Sequence, residues 1–403
     1  MAYDSIPNLA NSKYRSLIKD VPKFLSPLFS FVVLERILEL KIGKSSEEFL
    51  FKLGKSIGNA LATKITFINK RQKEAIIIFL KELENLGFGK SKIIRYNPNK
   101  NVCTIINTTN PLAKQYKMTF DVQKYPRDVL LAGMYSGCLS AILNSDCFFI
   151  EKRCITKNEQ FCVFQLESGK IFKNERFDQK KIDQIISLKN LHLNYRPDYP
   201  NTLIWKIIQL RQIQLNDGEL KIWGVYCTFF PVNIMLTIYK LLEIENIDIS
   251  NELFYLGVTQ SKMAILFQVN KFGIKNGLPT FNSLLNQLEF FGVGKGKLAL
   301  INENSLEVMF KNNYSLAQYR LMFNDRYDNI YINGILAGMA RYAFETEIES
   351  LSYQASKTKT DYKIAFTKNA NNSTILKCQR GIKNKEIIKV IEEKMKHKYY
   401  LEY

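Results

Sequence analysis

"VLLAGMYSGCLSAIL" (129–143) and "GILAGMARYAFETEI" (334–348) decide the fold, because the second repeats the first about two hundred residues later. Both contain Leu-Ala-Gly-Met, which sets Gly133 against Gly338 at an offset of 205. Two further landmarks recur in the same order. "EFLFKLGKSIGNALATKITF" (48–67) resembles "ELFYLGVTQSKMAILFQV" (252–269), aligning Gly54 with Gly257 at an offset of 203. "FLKELENLGFGKSKI" (79–93) resembles "LLNQLEFFGVGKGKL" (284–298), aligning Gly87 and Gly89 with Gly292 and Gly294 at 205. Three landmarks at a nearly constant offset read as two copies of one domain. The expected organisation is a first domain with an N-terminal extension (1–170), a linker with one helix (171–205), a second, degenerate domain (206–370) and a helical tail (371–403).

Each copy has a mixed pattern. In the first, apolar periodicity predicts helices over 27–40 and 46–62, and a third that Gly87 stops from its C′ position. "SKIIRYN" and "NVCTIIN" alternate as strands joined by "NPNK", a hairpin turn. A small-residue helix follows over 128–143, then a second strand pair, "CFFIEKRCI" and "QFCVFQL". This is an α+β unit, an antiparallel sheet covered by helices. The two copies are expected to pair as a pseudo-dimer. Gly54 and Gly58, like Gly133 and Gly137, are four apart on one helical face. Such a flat face suits close helix packing inside the domain; a dimer-like seam or a ligand-facing wall is the functional alternative.

Of the 403 residues, 46% are hydrophobic and 24% charged, the balance of a globular chain. No basic region followed by an apolar run opens the sequence, and no stretch reaches the roughly 18 apolar residues of a spanning helix. Seven cysteines, an odd and unevenly spaced set, form no disulfide framework, so a reducing cytoplasm is expected. The net charge of +19 draws polyanions at long range, yet no block of five or six basic residues occurs.

"EKRCITKNEQFCVF" (151–164) gathers Glu151, Cys154 and Cys162 at intervals of three and eight in a chain with two histidines. Two readings compete: a metal site, or thiols acting as small apolar core residues.

The glycine-spaced helix, "ENLGFGK", "LLAGMYSGCLSAIL" and Glu-x-x-Cys-x(7)-Cys-x-Phe, in this order, resemble the 4-vinyl reductase domain, a small-molecule-binding module also similar to TRAPP vesicle-tethering subunits. The resemblance covers most of copy one and, more weakly, most of copy two. It implies zinc held by Glu151, Cys154, Cys162 and a residue five before the helix glycine, which here is Asp128. Cys138, Cys103 or water are the fallback fourth ligands. Asn158 stands where the family usually has a turn glycine, a position asparagine tolerates. Copy two's "LSYQASKTKTDYKIAF" has no cysteine, and Asn333 aligns with Asp128 at 205. Any zinc is therefore a local staple or a ligand-site feature rather than a condition of the fold.

A reductase is discounted. No nicotinamide or flavin fingerprint is present, His192 and His397 lie in the linker and tail, and "GFGKSK" and "GVGKGK" lack the P-loop spacer. The expectation is a non-enzymatic ligand-binding or scaffolding protein for a small hydrophobic ligand or a protein partner, with Met134, Tyr135 and Phe149 lining the pocket. The alternative is a nucleic-acid-binding regulator that contacts phosphates through Lys90, Lys92, Lys295 and Lys297. Membrane contact through a basic face is a third, weaker option.

Overall fold

The structure, a computed structural model, describes residues 23–68, 71–169, 171–172, 175–186, 213–222, 224–231, 234–290, 293, 295–301, 305–311, 330–345, 348–355, 362–368 and 374–395. The chain divides into two compact units, one built from residues 26–229 and the other mainly from 230–403.

After a short strand β1 (Lys23–Pro27), the first unit opens with helices α1 (Leu28–Ile42), α2 (Ser45–Ile68) and α3 (Gln72–Asn85). Glu47 and Glu48 in the first turn of α2 suit the positive end of its dipole. Strands β2 (Ser91–Asn97) and β3 (Val102–Asn107) form the expected hairpin, with Asn101 left-handed at φ 51°. Helices α4 (Pro111–Phe120) and α5 (Val129–Leu143) lead to β4 (Phe148–Arg153) and β5 (Cys162–Glu167). The antiparallel sheet runs β2-β3-β5-β4.

Helix α6 (Gln179–Ile185) and strands β6 (Ile213–Asn216), β7 (Glu219–Ile222) and β8 (Val225–Pro231) follow. Residues 213–229 belong to the first unit, so the second does not begin at 206. Their attachment is polar and close: Gly89 N–H donates to Gly218 O at 3.0 Å, and Thr228 Oγ1 donates to Leu86 O at 2.7 Å.

The second unit contains α7 (Ile234–Ile244), α8 (Ser250–Phe272), α9 (Leu278–Phe290), β9 (Lys295–Ile301), β10 (Ser305–Lys311), α10 (Ile330–Phe344), β11 (Ile348–Ala355) and β12 (Tyr362–Lys368). Its antiparallel sheet, β9-β10-β12-β11, has the topology of the first. The α+β class is as the sequence predicts. Among the described residues no helix is long and apolar enough to cross a membrane.

Backbone-to-backbone packing of two helices anchors each unit. A Cβ on Gly54, Gly58 or Gly133 would lie 2.0–2.1 Å from Leu130 O, Met134 O or Phe51 O respectively. In the second unit, Gly334 meets Phe254 O at 2.0 Å and Gly338 meets Val258 O at 2.6 Å. Any side chain there forces the helices apart, so these glycines serve packing inside each unit.

This geometry corrects the alignment of the last helix. Gly133 faces residue 51 and Gly334 faces 254, while Gly137 faces Lys55 and Gly338 faces Val258. With α2 and α8 related by 203, Gly133 therefore corresponds to Gly334 and Gly137 to Gly338, an offset of 201. Helix bounds 129–143 and 330–344 agree. Asn333 is thus a buried residue of α10, not the counterpart of Asp128. That counterpart, Asn329, lies outside the described residues.

The expected linker is in part a strap on the first unit. Buried Glu48 accepts from the N–H groups of Arg176 (3.0 Å) and Phe177 (2.9 Å), and buried Lys52 pairs with Glu48 (3.0 Å) and Glu175 (2.8 Å). Phe177 packs on Phe49 with centroids 5.0 Å apart. The tail does the same in the second unit through α11 (Thr374–Gly381) and α12 (Lys385–Met395). Tyr255, equivalent to Lys52 at offset 203, donates its hydroxyl to Glu392 at 2.5 Å. Residues 187–205 of the linker lie outside the described residues.

Candidate metal centre

Strand β4 delivers Glu151, the turn after it delivers Cys154, and the first residue of β5 is Cys162. Ligand atoms of these three lie within 4.8 Å of one another, a group able to hold a metal ion. Cys154 and Cys162 are fully buried, and Glu151 is 8% exposed. Their sulfurs stand 3.7 Å apart. Two thiolates about 2.3 Å from one tetrahedral zinc would stand about 3.8 Å apart, so the spacing already suits the ion. The turn closes through Asn158, left-handed at φ 66° as expected.

Donors surround the sulfurs. Thr156 Oγ1 donates to Cys154 Sγ at 3.0 Å; Asn110 Nδ2 (3.2 Å) and Ile155 N–H (3.5 Å) donate to Cys162 Sγ. The hydrogen bond from the Cys162 thiol, helped by that from Thr156, lowers Cys154 to about 5 against the opposing effect of burial. Burial raises Cys162, and its bond to Cys154 raises it further. Burial, then the charges of Cys154 and Asp128, push Glu151 well above the carboxylate range. Glu151 Oε1 is buried with no hydrogen-bond partner among the described residues. Three acids in one dry pocket cannot all ionise unaided; a divalent cation removes that conflict, and metal binding then displaces protons.

Asp128 is adjacent but differently employed. Its carboxylate caps α5 by accepting from Leu131 N–H at 3.1 Å and takes the Asn110 amide at 2.6 Å. Its own backbone N–H donates to Glu151 Oε2 at 2.9 Å, so it positions that carboxylate. Burial raises Asp128 to about 7. The structure groups the other three expected ligands without it. Cys103 and Cys138 also lie outside the group, as buried core thiols raised by burial, Cys103 to about 12.

Asn107 and Asn110 escaped the sequence reading. Both are fully buried. Asn107 Oδ1 accepts from Asn110 N–H at 2.8 Å, and its amide donates to Phe88 O at 2.9 Å. This fixes Asn110 as N-cap of α4 with its amide turned to Cys162. The signal was present in "NTTNP" (107–111), an asparagine ahead of a proline at a helix start. Glu35 of α1 is another buried acid, raised by burial and then by Asp128, with neither oxygen bonded among the described residues.

Met134, Tyr135 and Phe149, the expected pocket lining, are each 1% exposed and belong to the core. Tyr135 meets Phe164 at 5.0 Å and Phe149 at 6.0 Å, edge to face, and its hydroxyl bonds Ser91 Oγ at 2.7 Å. Of the four expected phosphate contacts, Lys92 and Lys297 are exposed on the first strand of each sheet. Lys90 is paired with Asp217 at 2.7 Å, which offsets its charge. The side chain of Lys295 lies outside the described residues.

No protein-family model matches the chain, and no curated protein matches it. Among solved structures the chain is similar to the phenol-responsive sensory domain of the transcription activator PoxR with phenol. The likeness has a TM-score of 0.33 and 11% identity, and covers 43% of this chain and 98% of that one.

Proposed function

We propose that the chain is a tandem duplication of a 4-vinyl-reductase-like domain that binds rather than catalyses, with one zinc ion held in the first unit. The observation that carries this reading is the convergence of two thiols and a carboxylate, 3.7 Å between sulfurs, in a buried pocket provided with donors to sulfur. Two thiolates and one carboxylate favour zinc over magnesium or calcium. Glu151, Cys154 and Cys162 would hold it; the ion supplies the positive charge that lets all three ionise and ties the β4–β5 turn to the sheet.

Three protein ligands leave a fourth position for water or a donor atom of a small ligand. Phe164, two residues after Cys162 on β5, packs edge to face with Tyr135 in the core beside this centre. A small apolar molecule with one polar atom is the ligand class that suits it. The pairing of Lys90 with Asp217 offsets one of the four charges on which the nucleic-acid alternative relies.

Metal analysis of protein purified without chelator tests the reading. Wild type should carry close to one zinc per chain, Cys154→Ser and Cys162→Ser should lose it, and Cys378→Ser should keep it. Cobalt substitution should give the charge-transfer absorption of two thiolates. Wild type with no zinc and no such band refutes the metal centre.

A further inference from the structure

The second unit lacks the cysteine group but has a groove of its own. It is an open groove between α8 and the C-terminal end of α10, with a volume of about 360 Å³. Ile265, Leu266 and Val269, successive positions on one face of α8, give it an apolar floor. Two cations lie near the Tyr342 ring: Lys262 Nζ is 5.4 Å from its centroid and the Arg341 guanidinium 5.5 Å. At the far end, the Asn276 amide donates to Tyr342 O (3.3 Å) and Glu345 Oε1 (3.2 Å), which fixes the loop after α8 against α10.

We infer that this groove is a binding site for a small organic monoanion with a flat apolar body, such as an aryl carboxylate. The volume is at the lower end for small-molecule pockets, enough for one or two fused rings. The floor receives the apolar body, and Lys262, held near the Tyr342 ring, receives the carboxylate as a charge-assisted hydrogen-bond donor beside the positive charge of Arg341. Glu345 at the opposite end repels a second negative charge, which restricts the ligand to one.

The first unit shows that the groove is no by-product of the fold. With α2 and α8 related by 203 and α5 and α10 by 201, the equivalent residues are Asn59, Ala62, Thr63, Thr66, Ser140, Ala141 and Asn144. None of these helix positions is charged and none is aromatic. The two units therefore specialise at different places, and this site does not depend on the metal reading.

Calorimetric titration of the full chain with 2-naphthoate, 2-naphthamide and 2,6-naphthalenedicarboxylate tests the inference. Naphthoate should bind at one site per chain, and the amide and the dianion at least about tenfold more weakly. Lys262→Ala and Tyr342→Ala should each weaken naphthoate by about tenfold with the far-ultraviolet spectrum unchanged, and Cys154→Ser should not weaken it. No saturable naphthoate binding, binding equal to that of the amide, or binding unaffected by Lys262→Ala overturns it. Binding lost in Cys154→Ser but not in Lys262→Ala places the ligand in the first unit and also overturns it.

Discussion

The first and second units have the same sheet order and the same backbone-packed helix pair, but different chemistry on them. The first has Glu151, Cys154 and Cys162 at its second hairpin. The corresponding strands of the second, "IESLSYQA" (348–355) and "YKIAFTK" (362–368), contain no cysteine. A fold that forms without the group does not need it. What both units retain is the glycine contact of α2 with α5 and of α8 with α10, and this contact is the structural core of the design.

Side chains on that contact should therefore have the largest effect, and the same effect in both units. Gly133→Val and Gly334→Val place atoms about 2 Å from a carbonyl oxygen, which no rotamer relieves. Each should cost more than about 3 kcal/mol and unfold its own unit at 37 °C, read by hydrogen exchange. A tolerated valine in either unit would show that the two helix pairs are not equivalent.

The straps should differ, because one is a buried ion pair and the other a hydrogen bond to a carboxylate. Lys52→Ala leaves Glu48 buried without its cation and should cost about 3 kcal/mol. Tyr255→Phe removes one hydrogen bond to the Glu392 carboxylate and should cost about 1.5 kcal/mol. Urea unfolding of the two variants measures both; equal losses would erase the distinction.

A smaller and more local effect is expected at Asn110. Asn110→Ala removes the donor to Cys162 and the cap of α4, and should weaken zinc by roughly 10- to 100-fold in a competition with a chromophoric chelator. Unchanged affinity would confine Asn110 to capping.

Much of this was legible in the sequence, for identifiable reasons. Glycine stops, alternating strands and the "NPNK" turn act locally, so the helices and the β2–β3 hairpin fall where the pattern puts them. The spacing of Glu151, Cys154 and Cys162 was equally direct, since one turn joins all three. The register of α10 was not. Glycines four apart look alike after a shift of one helical turn, and the shared Leu-Ala-Gly-Met favours the shifted alignment at 205 over the geometric one at 201. Only the carbonyl that each glycine meets distinguishes them. The straps were hidden too, because Glu48 and Lys52 read as a surface i,i+4 pair until the chain at 175–177 covers them.

Hydrogen exchange with and without a zinc chelator tests the asymmetry most directly. On chelation, exchange should quicken over 110–113, 128–131 and 151–164, with α8 and α10 of the second unit unchanged. Equal loss of protection in both units, or no loss in either, would contradict it.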